Sequence, residues 1–312
     1  MTPNFFLVGA PKCGTTSLYF YLDQHPQIYM SPIKEPHFLA DEIRLSNYTA
    51  RFREMAEAKL AGLDEYLAGD MTSKFSAGPI ERWEDYLRLF QKGKDKTARG
   101  DASPCYLWSP TAPVNIAERF PDARILMILR DPVERAFSQY MHMLTFAAAP
   151  ISFRMYVDQC LHSHSTLIGE LYPFLYFGFY AAQVQRYLAL FPPDRVRIYW
   201  YEDYQQHPAA MLRDVFEFLE VDPAFDADLS ERHMLARVPR SYAVNRALKP
   251  VWGKLKASIP APVTRKLKRM VFRPRESMTM LSEDRAFLRE LYRDDIQKLQ
   301  ELTGRDLGRW QD

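Results

Sequence analysis

A short buried strand, followed at once by a glycine-containing turn and a helix, constrains this chain more than any other feature. Residues 4–8 form an apolar run, N-F-F-L-V, and residues 9–17 read G-A-P-K-C-G-T-T-S at the start of a helix predicted over residues 14–23. Continuous apolar runs are typical of strands buried on both faces of a parallel sheet. Because a strand–loop–helix unit directs backbone N–H groups and the positive end of the helix at an anion, we predict a phosphate-binding turn.

Strands and helices alternate along the rest of the chain. Further strands are predicted at residues 27–30, 98–102, 124–129 and 195–201. Helices are predicted over much of residues 46–91, from residue 132 towards 144, and at residues 179–191, 208–219 and 281–302. This alternation favours an α/β fold with a mainly parallel central sheet flanked by helices. We expect one P-loop-like domain over residues 1–312, with a core of about residues 1–221 and a helical, basic C-terminal portion, residues 222–312, that includes a lid.

Composition excludes several classes of protein. The 312 residues carry a formal net charge of +2, which is too small for a protein that coats nucleic acid, so anion binding must be local. The three cysteines form no C-x-x-C pair and no His/Cys cluster of metal-ligand spacing. The first apolar run is too short for a signal peptide or a membrane span. We therefore expect a cytoplasmic protein with reduced thiols and no metal.

The position of the lysine separates this turn from the common nucleoside-triphosphate loop. In G-x-x-x-x-G-K-[ST] the lysine follows the second glycine and reaches the β- and γ-phosphates beside a metal ion. Here Lys12 lies inside the loop and Thr15 takes the usual lysine position. A lysine inside the loop can reach a shorter anion, such as the bridging oxygen between a 5′-phosphate and its transferring group. A strand-to-helix turn with an incidental lysine is the simpler alternative.

A second anion site is predicted where the strand at residues 124–129 ends. Arg130, followed by D-P, stands where a triphosphate enzyme would carry a magnesium-binding aspartate. Ser138 falls about two turns into the next helix, from which its hydroxyl can bond the anion that Arg130 binds. A structural ion pair of Arg130 with Asp131 or Glu134 is the alternative. Two anion sites on two strands imply a nucleotide that is phosphorylated at both ends of its ribose.

These motifs resemble those of sulfotransferases that use 3′-phosphoadenosine 5′-phosphosulfate. P-K-C-G-T-T-S-L at residues 11–18 is similar to the family's 5′-phosphosulfate loop, and R-I-L-M-I-L-R-D-P-V-E-R-A-F-S-Q-Y at residues 124–140 is similar to its 3′-phosphate element. G-F-Y at residues 178–180 and the segment at residues 201–221, which begins Y-E-D, resemble further family blocks. The matching stretches span most of residues 4–221 and resume weakly near the C-terminal end.

The resemblance implies a role for each matching residue. The cosubstrate would be 3′-phosphoadenosine 5′-phosphosulfate and the product nucleotide 3′-phosphoadenosine 5′-phosphate, with no metal. Lys12 would stabilise the phosphate oxygen that separates from sulfur, and Tyr180 would border the adenosine. Arg130 and Ser138 would hold the 3′-phosphate. The 5′-phosphate would be bound by the rest of the loop and the first helical turn, namely Cys13, Gly14, Thr15, Thr16 and Ser17.

The acceptor's proton needs a base, and the loop I-K-E-P-H-F after the second strand offers Glu35 and His37. A glutamate before proline in a polar loop is usually only solvated. Because carbohydrate-type sulfotransferases carry a glutamate here, two residues ahead of a histidine, the resemblance implies Glu35 as base and His37 as its orienter or a substrate contact. The histidine that cytosolic small-molecule members use is absent from residues 100–106. Ala102 replaces the lysine of some heparan-modifying members, and Asp101 either faces the acceptor or is an exposed strand-end residue.

Three other features are interpreted more simply. His142 is interpreted as a packing or surface residue, and nothing in the sequence makes Cys13 a nucleophile. Residues 249–275 contain nine lysines and arginines and no acidic residue. Because prolines interrupt that segment and its apolar face is narrow, we favour a lid with a solvated cationic face over contact with an anionic membrane. Arg237 and Arg240 are candidates for a further cation at the 3′-phosphate.

The sequence therefore predicts an enzyme that moves a sulfuryl group from 3′-phosphoadenosine 5′-phosphosulfate to a hydroxyl of a saccharide, lipid-linked or other small acceptor by in-line attack. Catalysis would consist of positioning, proton removal and stabilisation of charge on the departing phosphate. A P-loop kinase or other triphosphate enzyme is one alternative, against which the displaced Lys12 argues. A non-catalytic nucleotide-binding protein is the other.

Overall fold

Five parallel strands form the central sheet. The structure, a computed structural model, describes residues 1–75, 78–146, 151–169, 173–230, 237–239, 241, 272–274 and 278–311. The strands are β1 (Phe5–Gly9), β2 (Ile28–Met30), β3 (Ala98–Ala102), β4 (Arg124–Leu129) and β5 (Val196–Trp200). Their order across the sheet is β2-β3-β1-β4-β5, so β1 is central, with β3 and β4 as its neighbours. The predicted α/β fold with a parallel central sheet is confirmed.

Burial of the central strands explains why they pair in parallel. Every residue of β1 is buried, and in β4 only Arg124 is partly exposed. Strands that are buried along their whole length need helices on both faces of the sheet, which is the setting in which parallel sheets occur. Leu7 of β1 is paired with Ala102 on one side and with Leu126 on the other. Because β1, β3 and β4 run in the same direction, the residues that follow them meet at one edge of the sheet.

Helices connect and cover the strands. Three of them follow strands of the sheet: α1 (Thr15–Asp23) follows β1 after a short loop, α6 (Pro132–Phe146) follows β4, and α9 (Tyr201–Gln206) follows β5. The helical pattern of residues 46–91 resolves into three short helices, α2 (Ala50–Leu60), α3 (Leu63–Ala68) and α4 (Trp83–Arg88). The remaining described α-helices are α5 (Ala112–Arg119), α7 (Phe153–His162), α8 (Tyr180–Leu190), α10 (Pro208–Phe218) and α11 (Ser282–Thr303).

The last helix, α11, packs against α6 and α8. Its buried apolar residues recur at helical spacing and are Leu288, Tyr292, Ile296 and Leu299. The Tyr292 hydroxyl donates to the carbonyl oxygen of Leu175 (2.9 Å), and the Asp295 carboxylate accepts from the backbone N–H of Tyr180 (2.6 Å). Helix α11 therefore fixes the first turn of α8, which carries Tyr180.

The C-terminal portion also contains a short antiparallel ribbon that the sequence pattern does not predict. β6 (Arg237–Pro239) pairs with β7 (Phe272–Pro274), and β6 lies beside α6. Only the backbone of Arg237 is described, whereas Arg240 and most of residues 249–275 lie outside the described residues. The predicted roles of that basic segment and of both arginines stay predictions. Within the described ranges, no helix combines the length and apolar character needed to cross a membrane.

Gly100 in β3 has no room for a side chain. A Cβ atom there would lie 2.2 Å from Cζ of Phe5 and 2.8 Å from Sδ of Met30. Because overpacking displaces neighbours that are already close-packed, we expect Gly100→Ala to lower the free energy of unfolding by about 2 kcal/mol, measured by urea denaturation.

Gly69→Ala is the matched control for this variant. A Cβ atom at Gly69 would lie 3.4 Å from the nearest atom, an ordinary contact, so its stability should stay within about 0.5 kcal/mol of wild type. Equal stability of the two variants would contradict the packing assigned to β1 and β3.

Candidate active site

The loop between β1 and α1 is shaped to receive an anion. Lys12 and Gly14 both take left-handed backbone conformations, with φ of 70° and 88°. A Cβ atom at Gly14 would lie 2.8 Å from Cε1 of Tyr204, so glycine alone fits there without displacing that ring. Gly14 is also the N-cap of α1 and has no side chain to bond the first amides of the helix. The N–H groups of residues 15–17 therefore point towards the loop that carries Lys12, as does the positive end of α1.

Arg130 joins this loop to the end of β4. Its Nη1 donates to the carbonyl oxygen of Lys12 (3.3 Å), and its Cζ lies 4.6 Å from the centre of the Tyr201 ring. The Arg130 side chain is only 9% exposed. The two loops that the sequence predicts as anion sites thus lie against each other at one edge of the sheet.

Glu134 balances part of the charge of Arg130. Its carboxylate lies 3.7 Å from Nη2 of Arg130 and 2.6 Å from Nη2 of Arg285 on α11. The Arg130–Glu134 ion pair considered from the sequence is therefore present, but at a separation longer than a hydrogen bond. Asp131 caps α6 instead, since its carboxylate accepts from the backbone N–H of Val133 (2.8 Å). An anion that binds Arg130 has to compete with Glu134.

Ser138 and Tyr180 lie on the helices that flank Arg130. Ser138 is buried on α6, one turn beyond Glu134. Tyr180 begins α8, and its hydroxyl donates to the carbonyl oxygen of Arg130 (3.0 Å) and lies 3.8 Å from Sγ of Cys13. Because its side chain is fully buried, Tyr180 supports both loops from beneath. Its contact with an adenosine stays a prediction.

Cys13 is buried within the first loop. Burial raises the pKa of its thiol to about 11, and the charges of Arg130 and Arg135 offset this only in part. The nucleophile in thiol chemistry is the thiolate, which this pKa makes scarce at neutral pH. The structure therefore gives Cys13 a packing position in the loop.

The loop after β2 brings Glu35 and His37 to the same edge of the sheet. Both take left-handed backbone conformations, with φ of 67° and 57°. The N–H of Glu35 donates to the carbonyl oxygen of Ala102 at the end of β3 (3.2 Å). One carboxylate oxygen of Glu35 contacts Nζ of Lys34, and the other lies 3.7 Å from Nε2 of His37. The Glu35 side chain is 40% exposed, so another molecule can reach it.

The pKa of Glu35 and the pKa of His37 both lie below their ordinary values. Burial raises the pKa of Glu35, but Lys34, His37 and Lys12 together lower it by more, so the pKa lies below its ordinary value. Burial also lowers the pKa of His37, which Glu35 only partly offsets. Nδ1 of His37 is buried and has no hydrogen-bond partner among the described residues. A carboxylate that can accept a proton is thus coupled to the charge of Lys12.

His142 belongs with this group of residues, although the sequence interpretation assigns it to packing or the surface. Burial and the charge of Lys12 lower the pKa of its imidazole to about 4, whereas Glu35 raises it. The imidazole of His142 therefore interacts electrostatically with both groups. Helical spacing was the available signal, because Glu134, Ser138 and His142 recur every four residues along one face of α6.

Asp101 is fully buried at the end of β3, so the exposed position considered from the sequence is wrong. Its carboxylate accepts hydrogen bonds from the hydroxyls of Ser103 (2.7 Å), Tyr86 (2.9 Å) and Tyr106 (2.9 Å). Burial raises the pKa of Asp101 to about 6 even though these three hydrogen bonds lower it. The sequence does not reveal this network, because its members come from α4 and from the turn after β3.

Comparison with known proteins agrees with this arrangement. A family model described as "Sulfotransferase family" matches residues 3–226, which contain all five strands of the central sheet and the three loops described above. The chain belongs to the sulfotransferase family. The crystal structure of a sulfotransferase from Alicyclobacillus acidocaldarius is 30% identical in sequence, with a TM-score of 0.71 and with 100% of both chains covered.

Two human proteins of the family are also similar to this chain. Carbohydrate sulfotransferase 15 from Homo sapiens is 26% identical across 87% of the chain, and bifunctional heparan sulfate N-deacetylase/N-sulfotransferase 3 from Homo sapiens is 27% identical across 99%. The matches cover 52% and 31% of those proteins, so this chain spans about half the length of the first and under a third of the second. Family membership disfavours the triphosphate-enzyme alternative.

Tyr180→Phe removes the hydrogen bond that supports Arg130 from beneath. Because the variant leaves a buried carbonyl oxygen without this donor, we expect the free energy of unfolding to fall by about 1–2 kcal/mol in urea denaturation. Tyr176→Phe is the matched control, since Tyr176 is 55% exposed, and its stability should match wild type. A Tyr180→Phe protein as stable as the control would mean that this bond does not hold the two loops together.

Proposed function

We propose that this protein transfers a sulfuryl group from 3′-phosphoadenosine 5′-phosphosulfate to a hydroxyl of a saccharide, lipid-linked or other small acceptor. The observation that carries the proposal is the hydrogen bond between Arg130 and the Lys12 loop. It brings two cationic groups on adjacent strands within reach of one nucleotide that bears phosphate at both ends. Membership of the sulfotransferase family supports the chemistry, and the carbohydrate sulfotransferase among the similar proteins supports a saccharide acceptor.

The donor groups of the site suit such a nucleotide. Lys12 and the amides that head α1 suit the 5′-phosphosulfate, because a helix N-terminus and a lysine both favour a multiply charged anion. Arg130, with Ser138 on the next helix, suits the 3′-phosphate, and the bound nucleotide supplies the activated sulfur–oxygen bond. The residues proposed to surround the 5′ end are Cys13, Gly14, Thr15, Thr16 and Ser17.

Glu35 is proposed to remove the acceptor's proton. An ionised and partly exposed carboxylate can accept the hydroxyl proton while the acceptor oxygen attacks sulfur. The bond between sulfur and the 5′-phosphate oxygen breaks, and the negative charge passes to that oxygen, where Lys12 stabilises it. His37 orients Glu35 or contacts the acceptor, and His142 interacts electrostatically with Glu35 and Lys12.

A cytoplasmic location is part of the proposal. Cys13, Cys105 and Cys160 are all free, as is usual for proteins of a reducing compartment. Cell fractionation with an antibody against the protein tests this, and recovery from a secreted or membrane fraction would contradict it.

Lys12→Ala and Arg130→Ala test the nucleotide assignment. Each variant removes the charge proposed to pair with one end of the ligand, so binding of 3′-phosphoadenosine 5′-phosphate should weaken by about tenfold to a hundredfold in titration calorimetry. Arg197→Ala is the matched control, because Arg197 on β5 is 49% exposed, and its affinity should equal that of wild type. Unchanged affinity in both site variants would contradict the nucleotide assignment. If the wild-type protein bound ATP with magnesium more tightly than 3′-phosphoadenosine 5′-phosphate, a triphosphate enzyme would be favoured.

Glu35→Gln keeps the shape of the side chain but cannot accept the proton. We expect unchanged affinity for 3′-phosphoadenosine 5′-phosphate and a loss of turnover of about a hundredfold to ten-thousandfold. Transfer of radiolabelled sulfate from the donor to acceptors in a cell extract measures turnover and also screens for the acceptor. Glu57→Gln on the exposed side of α2 is the control.

A fully active Glu35→Gln protein would move the base to another residue, with His37 the first to test. A wild-type protein that binds the nucleotide but labels no acceptor would favour the non-catalytic alternative.

A further inference from the structure

The carboxylate of Asp101 is buried among hydroxyl groups and not beside a cation. Its three donors are Ser103, Tyr86 and Tyr106, and no Lys or Arg within the described ranges forms an ion pair with it. A buried carboxylate is costly unless its oxygens accept hydrogen bonds, and each of these bonds favours the ionised form. The network is therefore built around a negative charge.

Two of the same hydroxyls hold the loop that carries Glu35 and His37. Oγ of Ser103 accepts from the backbone N–H of His37 (3.2 Å), and Oη of Tyr106 accepts from the backbone N–H of Leu39 (3.2 Å). An ionised carboxylate can only accept hydrogen bonds, so it turns both hydroxyl hydrogens towards itself. Their lone pairs are then left for the two amides.

The loop needs such an anchor because of its backbone. Glu35 and His37 both lie in the left-handed region, which costs a residue other than glycine about 1 kcal/mol or more and persists only where surrounding contacts hold it. Besides the hydrogen bond from the N–H of Ile80 to the carbonyl oxygen of Pro36, the loop is held by three hydrogen bonds: those from the N–H groups of His37 and Leu39 to the two hydroxyls, and the one from the N–H of Glu35 to the carbonyl oxygen of Ala102. The acceptors of these three hydrogen bonds are Ala102, Ser103 and Tyr106, which directly follow Asp101 or lie in the next turn of the chain.

We propose that Asp101 is a positioning residue for sulfuryl transfer, whose buried carboxylate orients Ser103 and Tyr106 so that they hold Glu35 and His37 at the reacting groups. The inference rests on the proposed role of Glu35 as base. The hydrogen bonds of the Asp101 carboxylate go to Ser103, Tyr86 and Tyr106, and not to Glu35 or the Lys12 loop. Its contribution is to the geometry of the base, and misplacement of a base by about 1 Å costs about a hundredfold in rate.

Protonation of Asp101 makes turnover depend on pH. Burial raises the pKa of Asp101 to about 6, whereas Lys34, His37 and Lys12 hold the pKa of Glu35 below its ordinary value against the effect of burial. A protonated Asp101 must donate, so one of its three hydroxyl partners has to turn away. Turnover should therefore fall as the pH drops through about 6, while Glu35 is still ionised. The titratable groups that face Asp101 are Tyr86 of α4, Tyr106, Tyr187 of α8 and Glu35.

The contribution of Asp101 to stability should change in the opposite direction. The folded-state pKa of Asp101 is raised above the value of about 3.9 for an unfolded chain, so the folded state binds the proton more tightly. Lowering the pH from 7.5 to 5 should therefore favour folding, by about tenfold in the unfolding equilibrium constant from this group. The lowered pKa of His142 acts in the opposite sense, so the contribution of Asp101 is measured as the difference between wild type and Asp101→Asn in the pH dependence of unfolding.

Asp101→Asn tests the proposal with the full-length protein. We expect turnover at pH 7.5 to fall by about tenfold to a hundredfold, and the dissociation constant for 3′-phosphoadenosine 5′-phosphate to stay within about twofold of wild type. The acid limb of the pH profile, which is the fall in turnover below about pH 6, should disappear. Asp85→Asn is the matched control, because Asp85 is also a buried carboxylate but pairs with Arg82 (3.0 Å). The control should keep the turnover and the acid limb of wild type.

Tyr86→Phe provides a second test that does not depend on the stability of the first variant. The ring that packs on Phe38 is kept, but one hydrogen bond to the ionised carboxylate is lost, so the acid limb should move to higher pH by about half a unit or more. A role in packing alone would not move the limb. The proposal would be overturned if Asp101→Asn and Tyr86→Phe both kept the wild-type fall in turnover near pH 6. It would also be overturned if Asp101→Asn lost turnover and nucleotide affinity to the same extent.

Failure of the proposed base is distinguishable from failure of this inference. If Glu35→Gln keeps turnover, the base assignment fails and this inference with it. If Glu35→Gln is inactive while Asp101→Asn turns over like wild type, only the role of Asp101 is overturned.

Discussion

The hydrogen bond from Arg130 to the carbonyl oxygen of Lys12 joins the two loops proposed to bind the nucleotide, and the arrangement of the rest of the site depends on it. It forms because β1 and β4 are parallel neighbours whose loops leave the sheet at the same edge. Tyr180 closes the same junction from the buried side by donating to the carbonyl oxygen of Arg130. The spacing between the two cationic groups is therefore set by the sheet and by a helix packed beneath it, and flexible side chains play a smaller part.

The three strands at the centre of the sheet, β1, β3 and β4, contribute different groups to the site. β1 and β4 lead into the loops that carry Lys12 and Arg130, the groups proposed to bind the two phosphates. β3 contributes no charged ligand, but the residues at its end anchor the loop that carries Glu35. The groups proposed to bind the nucleotide and the group proposed to remove the proton thus rest on one edge of the sheet, although they come from loops far apart in sequence.

Local patterns predicted most of the fold. The strands predicted at residues 98–102 and 124–129 coincide with β3 and β4, because Ser103-Pro104 and Asp131-Pro132 end each pattern sharply. What could not be predicted depends on packing between distant segments. The sequence alone does not show whether an aspartate at a strand end is solvated or, like Asp101, buried under tyrosines from other elements. His142 is an intermediate case. Its helical spacing from Ser138 is visible in the sequence, but its interaction with Lys12 and Glu35 depends on loops that are distant in sequence.

The bridge that Glu134 makes between Arg130 and Arg285 bears on selectivity. This carboxylate offsets part of the positive potential at the end of β4. A small inorganic anion arriving there replaces one negative charge by another and gains little. A ligand that also occupies the β1 loop has a second source of binding energy with which to displace the carboxylate. An internal counter-ion of this kind lets a site stay unoccupied among abundant free sulfate and phosphate while still accepting a larger molecule charged at two points.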